Sequence, residues 1–155
     1  MNWHPGAGNR KAFRLLGRAG TNLPGLRLAD FRDQRGIYVL YGNYGPHYVG
    51  LTREREMGQR LKDHLADEHA DMWDRFSWFG FCSVLKGCDH DGICRLKKLA
   101  SVSMGTPRKA IGDMEALLIK AMGLRNKADM KFSAAREWKQ VKVLETDKYL
   151  TRVQG

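Results

Sequence analysis

The side chains in this sequence best suited to chemistry begin with one carboxylate, Glu115. It lies on the flank of an apolar helical stripe that includes Ile111, Met114 and Leu118. A carboxylate at the boundary of a core can bind a hard divalent cation or exchange a proton. A Glu at such a position can equally be a surface residue that only reaches solvent. The pattern therefore makes Glu115 a candidate ligand and leaves both interpretations open.

A second candidate is the pair Arg60 and His64, which are four residues apart and so share one face of a helix. An Arg guanidinium can hold a phosphate with two hydrogen bonds, and a His can move a proton near neutral pH. Each residue also has an ordinary structural interpretation. Arg60 would then be a solvated charge, and His64 a semi-buried side chain beside Leu61 and Leu65.

The third candidate is a group of tyrosines in one predicted hairpin. Two of them, Tyr38 and Tyr48, lie close to a glycine. Gly36 comes two residues before Tyr38, and Gly50 comes two residues after Tyr48. Glycine weakens a strand interior and often marks a bulge or the close approach of backbone or ligand. Tyrosine is also common in strands for packing reasons alone.

The elements that must position these residues form an α/β pattern. We expect a small, mainly antiparallel three-stranded sheet flanked by helices. The strands are expected at 36–42, 47–51 and 75–85, and the two main helices at 56–68 and 106–122. Further helices are expected at 9–18, at 93–102 and from 146 onward, while 132–144 is ambiguous between strand and helix.

Length and composition predict a single domain over residues 1–155, without repeats or a linker. The net charge of +10, with basic residues spread along the chain, favours a polyanionic partner such as nucleic acid. No apolar stretch predicts a membrane span or an export signal. Three cysteines suit a reducing compartment better than a disulfide scaffold, and their spacing with His90 lacks the paired knuckles of a zinc site. We therefore expect a cytoplasmic protein.

The hairpin resembles the two motifs of the GIY-YIG nuclease superfamily. Gly36-Ile37-Tyr38 is followed after nine residues by Tyr48-Val49-Gly50, in which Val49 replaces the usual Ile. Other features of the family follow in order, namely a turn with Thr52, a helix with Arg60 and His64, a later helix with Glu115, and Asn126. The resemblance covers residues 35–126. It leaves a helical N-terminal extension over 1–34 and a C-terminal extension over 127–155.

The resemblance implies a metal-dependent endonuclease that hydrolyses phosphodiester bonds of DNA and leaves a 3′-hydroxyl and a 5′-phosphate. RNA stays open as a substrate, as does the oligomeric state. Glu115 would hold one Mg²⁺ (or Mn²⁺), whose other ligands would be waters and substrate oxygens, and Asn126 would brace the helix that carries Glu115.

The family pattern also implies roles for the other residues. Tyr38 would deprotonate or orient the attacking water, and His64 would relay the proton or orient Tyr38. A tyrosine has an ordinary pKa of about 10, so we expect the neighbouring Arg60 to lower the pKa of Tyr38. Arg60 would also hold the phosphate, together with Tyr48. Gly36 and Gly50 would let the backbone approach the site closely.

The alternative hypothesis is a basic nucleic-acid-binding module on the same fold that does not cleave. A carboxylate near phosphate repels DNA unless a metal ion is present, so a pure binder has no use for Glu115. A nicking assay with Mg²⁺ and with chelator separates the two hypotheses.

Overall fold

The structure is a computed structural model, and it describes residues 14–52, 55–97, 106–122 and 136–155. The strands are β1 (Leu16–Ala19), β2 (Arg27–Asp30), β3 (Gly36–Gly42), β4 (Gly45–Thr52), β5 (Arg75–Gly80), β6 (Val84–Cys88), β7 (Ile93–Leu96) and β8 (Lys139–Gln140). The helices are α1 (Met57–Asp63), α2 (Pro107–Met122) and α3 (Thr146–Gln154), with a short 3-10 helix (Val143–Glu145) before α3. The described part of the chain is thus a mixed α/β structure.

The predicted three-stranded antiparallel sheet is present, with the strand order β4-β3-β5. β3 is the central strand and pairs antiparallel with both neighbours. Tyr38 lies opposite Gly50 on one side and Trp78 on the other. The third strand ends at Gly80, whereas we expected it to continue to Leu85. The chain leaves this sheet there and enters β6.

A second sheet of five strands, with the order β6-β7-β2-β1-β8, was not expected from the sequence. Its strands overturn two helix predictions. Where we expected a helix over 9–18, the described part forms β1, which pairs antiparallel with β2. Where we expected a helix over 93–102, the described part forms β7, which pairs parallel with β2. Short apolar runs do not distinguish a buried strand from a buried helix, and here the distant partner strand decides.

The 132–144 segment, for which the sequence allows either a strand or a helix, is described over 136–144. It contributes both β8, beside β1, and the start of the 3-10 helix. The three helices agree in position with the sequence pattern, although α1 ends at Asp63, earlier than expected. The apolar stripe of α2 is not buried as its spacing suggested. Ile111, Met114 and Leu118 are exposed, and Ala116 is the buried residue of this helix. α2 lies against β4 without burying its large apolar side chains.

The five-stranded sheet has a core on each face because successive strand residues point to opposite sides. Leu28 of β2 belongs to the cluster under α3, together with Tyr149. The next residue, Ala29, belongs to the larger cluster, which also contains Tyr38 and Leu40 of the other sheet and Leu61 of α1. The two sheets therefore share one core, and Tyr38 is part of that core.

Two of the three cysteines are joined, contrary to our expectation of reduced thiols. The antiparallel register of β6 and β7 places Cys88 directly opposite Cys94, and the two form a disulfide. Cys82 is free and buried. Among the described residues, no helix is both long enough and apolar enough to cross a membrane.

Candidate active site

Tyr38 lies at the centre of the candidate site, with no solvent-exposed surface. It is on the central strand, where both neighbouring strands hold its backbone in place. The ring lies over Gly50, and a Cβ atom at Gly50 would collide with the ring carbons and the hydroxyl oxygen of Tyr38. The glycine of the second motif thus provides the space in which the Tyr38 ring lies.

Gly36, at the start of the same strand, allows a backbone conformation and a close contact that a side chain would prevent. Its φ of 152° is in a region that side chains disfavour, and a Cβ there would collide with the carbonyl oxygen of Phe79. Its N–H donates to the Thr52 hydroxyl over 2.8 Å, which ties the start of β3 to the end of β4. In this structure the atoms that approach Gly36 and Gly50 closely are those of the protein itself.

His64 caps the C-terminal end of α1 and is 2% exposed. Its Nε2 lies 2.6 Å from the Tyr38 hydroxyl oxygen, and its Nδ1 lies 2.7 Å from Oδ2 of Asp67. The indole N–H of Trp73 donates to the His64 backbone carbonyl over 3.2 Å. The imidazole is therefore held on both nitrogens, inside the core and between an acidic and a phenolic group.

Arg60 lies one helical turn before His64, with its guanidinium close enough to the hydroxyls of Tyr38 and Tyr48 to act on both. Burial raises the pKa of Tyr38 to about 12, and the charge of Arg60 only partly offsets that effect. Arg60 thus lowers the pKa of Tyr38, as we expected, but the pKa stays above its ordinary value because burial has the larger effect. The desolvation of a buried phenolate outweighs one neighbouring cation.

The two tyrosines in turn affect the pKa of Arg60. Burial lowers the pKa of Arg60, but Tyr38 and Tyr48 raise it by more, so it lies above its ordinary value. Tyr48 completes the cluster. The centre of its ring lies 6.1 Å from that of Tyr38 and 4.9 Å from that of His64.

Three residues near this cluster were not proposed from the sequence. Asp67 contacts His64, and the ring of His69 packs against Tyr48 with 4.4 Å between centres. His47 lies beside His69, with 3.2 Å between its Nε2 and the Nδ1 of His69. For Asp67 and His69, the available signal was the density of acidic and histidine residues over 64–69.

Four of the five proposed catalytic side chains thus come together: Tyr38, Tyr48, Arg60 and His64. Glu115 is exposed on α2, and within the described ranges it makes no hydrogen bond or ion pair with another side chain. Its surroundings are more polar than the core boundary we expected, because the apolar residues around it on α2 face solvent. Asn126 lies outside the described residues.

The donor set suits only some of the metal ions that a nuclease could use. Within the part of the chain that the structure describes, no three His, Cys, Asp or Glu side chains converge on one point. A preformed cage for zinc or calcium is thus absent from these residues. A single exposed carboxylate such as Glu115 suits Mg²⁺, which keeps most of its waters and is commonly held by one or two carboxylates together with substrate phosphate.

Comparisons with known proteins identify no relative. No protein-family model matches the chain, and searches of curated proteins and of solved structures also give no match. The assignment of function therefore depends on the motifs and on the geometry of the cluster.

Proposed function

We propose that this protein is a metal-dependent endonuclease of the GIY-YIG type, which hydrolyses phosphodiester bonds of DNA and leaves a 3′-hydroxyl and a 5′-phosphate. The observation that carries this proposal is the buried hydrogen bond of 2.6 Å between Tyr38 and His64, with the Arg60 guanidinium beside it. A phenol, an imidazole and a guanidinium in contact provide proton transfer and phosphate binding in one place.

Phosphate binding falls to Arg60 and Tyr48. The planar guanidinium can hold two oxygens of the scissile phosphate at once, and the Tyr48 hydroxyl can donate to a third. Tyr38 has no exposed surface in this structure. Water can therefore reach the Tyr38 hydroxyl only after a neighbouring side chain moves, and Arg60, which lies beside that hydroxyl, is the neighbour that a phosphate would attract. Substrate binding would in this way open the site to the water it needs.

Glu115 is the residue that would hold the divalent ion, and the ion would stabilise negative charge on the departing 3′ oxygen. α2, which carries Glu115, packs against β4, which carries Tyr48. In the cluster itself, Tyr38 would act on the water, Arg60 and Tyr48 on the phosphate, and His64 through Tyr38.

The charge of the chain supports DNA as the partner. A net charge of +10 on 155 residues attracts a polyanion and releases its counterions. The non-catalytic binding module remains the alternative. It accounts for the charge but gives no use to a tyrosine and a histidine that share a hydrogen bond inside the core.

The first test is Tyr38→Phe, with Tyr41→Phe as the matched control. Both tyrosines lie on β3, and each hydroxyl bonds another side chain: that of Tyr38 bonds His64 over 2.6 Å, and that of Tyr41 bonds Ser77 over 2.9 Å. We expect Tyr38→Phe to nick supercoiled plasmid in Mg²⁺ about 10²–10⁴-fold more slowly, and Tyr41→Phe to retain activity. Wild-type cleavage should stop in chelator. Equal rates for Tyr38→Phe and wild type would reject Tyr38 as the base.

The second test separates an enzyme from a binder with Glu115→Gln, using Asp113→Asn on the same helix as control. Gln keeps the size and helix propensity of Glu but loses the charge that holds the ion. We expect nicking to fall by orders of magnitude, while gel-shift affinity in chelator stays the same or rises because one like charge is removed. A stable Glu115→Gln protein that cuts normally would remove Glu115 from the site.

A further inference from the structure

The carboxylate of Asp67 has both of its oxygens engaged. Oδ2 lies 2.7 Å from Nδ1 of His64, and Oδ1 accepts the backbone N–H of His69 over 2.9 Å. Burial raises the pKa of the Asp67 carboxyl, but the hydrogen bonds from His69 and His64 outweigh it, and the pKa lies below its ordinary value. Asp67 is therefore ionised near neutral pH and can only accept hydrogen bonds.

An acceptor at Nδ1 determines where the proton of neutral His64 lies. Since Asp67 accepts, Nδ1 must carry the hydrogen, and Nε2 is left with a lone pair. The contact of 2.6 Å between Nε2 and the Tyr38 oxygen then has one direction, in which the tyrosine hydroxyl donates to the imidazole. In the opposite tautomer, Nδ1 would have no hydrogen, and its lone pair would face the Asp67 carboxylate, which also only accepts.

We propose that Asp67 is a positioning residue that holds His64 in the Nδ1–H tautomer and so makes Nε2 the proton acceptor for Tyr38 during hydrolysis. This inference rests on the proposed nuclease function. Asp67 lies in the loop after α1, outside the sequence motifs.

In the hydrolysis step, two protons move together. As the water oxygen bonds to phosphorus, its proton passes to the Tyr38 oxygen, and the Tyr38 proton passes to Nε2 of His64. The bond between phosphorus and the 3′ oxygen breaks, and that oxygen takes a proton from solvent. His64 becomes an imidazolium, which the carboxylate of Asp67 stabilises. Tyr38 need never exist as a free phenolate, so the high pKa that burial gives it is no obstacle.

The substitution Asp67→Asn tests this role of Asp67, because it should reverse the tautomer of His64. Because Oδ1 of Asp67 accepts the His69 N–H, an asparagine keeps both contacts when its oxygen faces His69 and its NH₂ faces Nδ1 of His64. Nδ1 then accepts, and the hydrogen moves to Nε2, where it blocks transfer from Tyr38. The control is Glu68→Gln, which removes the adjacent exposed carboxylate without touching His64.

The first readout is the protonation of the two His64 ring nitrogens, measured by ¹⁵N NMR without substrate. We expect Nδ1–H in wild type and Glu68→Gln, and Nε2–H in Asp67→Asn. The second readout is plasmid nicking. We expect kcat of Asp67→Asn to fall about 10²–10⁴-fold, with little change in KM or in gel-shift affinity in chelator.

Each outcome has a defined meaning. An Nε2–H tautomer in wild type overturns the proposal even if Asp67→Asn does not fold. A switched tautomer with unchanged kcat also overturns it. If wild type does not cleave at all, the proposed function fails, and the relay fails with it. The ring-nitrogen measurement then still decides whether Asp67 sets the tautomer.

Discussion

Replacing Gly50 by alanine perturbs the site through a single methyl group. The added Cβ would overlap the ring and the hydroxyl of Tyr38. The ring has no free volume to enter, because Tyr38 is fully buried in the core that the two sheets share. Its backbone is also fixed, since β3 is paired on both sides. The ring can therefore make room only by a change of its tilt, which moves the hydroxyl from its position 2.6 Å from Nε2 of His64.

Two contributions set the size of the effect. Forcing an extra carbon into a packed core costs about 1–3 kcal/mol. Tilting the ring breaks the hydrogen bond between Tyr38 and His64 and leaves buried polar atoms unpaired, which costs about 1–3 kcal/mol more. We therefore expect a loss of about 2–6 kcal/mol in the free energy of unfolding. A shift of about 1 Å in the base should lower kcat about 10²-fold.

The assay pairs urea unfolding with plasmid nicking in Mg²⁺, and Gly87→Ala is the control. Gly87 also lies in a strand, has no atom within 4 Å of the position of a Cβ, and does not have a positive φ. That variant should keep full activity and change stability by about 1 kcal/mol or less. If Gly50→Ala matched wild type in both measurements, the packing of the Tyr38 ring on this glycine would be refuted.

Two further predictions concern the neighbours and the charge state of Tyr38. Because burial raises the pKa of Tyr38 to about 12, the unfolded chain releases this proton first as pH rises. The associated stability is complete below about pH 10 and should be lost by about pH 12, a fall of about 3 kcal/mol that Tyr38→Phe lacks. Denaturant unfolding of both proteins across this range measures it, and parallel curves would contradict the raised pKa. Separately, Arg60→Lys should nick at least about 10²-fold more slowly, because lysine keeps the charge but loses the planar fork. Nicking by Arg60→Lys at the rate of the conservative control Lys62→Arg would show that charge alone is enough.

The elements nearest the motifs could be predicted from the sequence because their signals are local. Runs of β-branched and aromatic residues on both sides of a turn predicted the β3–β4 hairpin, and helical spacing predicted α2 at 106–122, close to its bounds in the structure. Helical spacing also predicted that Arg60 and His64 share a face. The contact between His64 and Tyr38 came from the family resemblance, since residues on a helix and a distant strand have no local pattern that joins them.

The five-stranded sheet could not be predicted in the same way. β1 and β7 are four residues long, and their apolar residues fit a helix or a strand equally well. Their state is decided by pairing with β2, which is distant from β7 in sequence. Asp67 could not be predicted as a site residue for a related reason. It follows the end of α1 in a loop, where helical spacing no longer predicts which side chains meet.

The pairing of β1 with β8 has a consequence for the order of folding. Gly17 lies opposite Gln140, so closing this sheet joins positions near the two ends of the described chain. Such distant pairings form late, because the entropy of closing a long loop is lost before any contact compensates it. Trp138, just before β8, packs on the same cluster as Tyr38. The core cluster that contains Tyr38 is therefore complete only once Trp138 has joined it, and a chain still emerging from the ribosome would carry the motifs without a finished core.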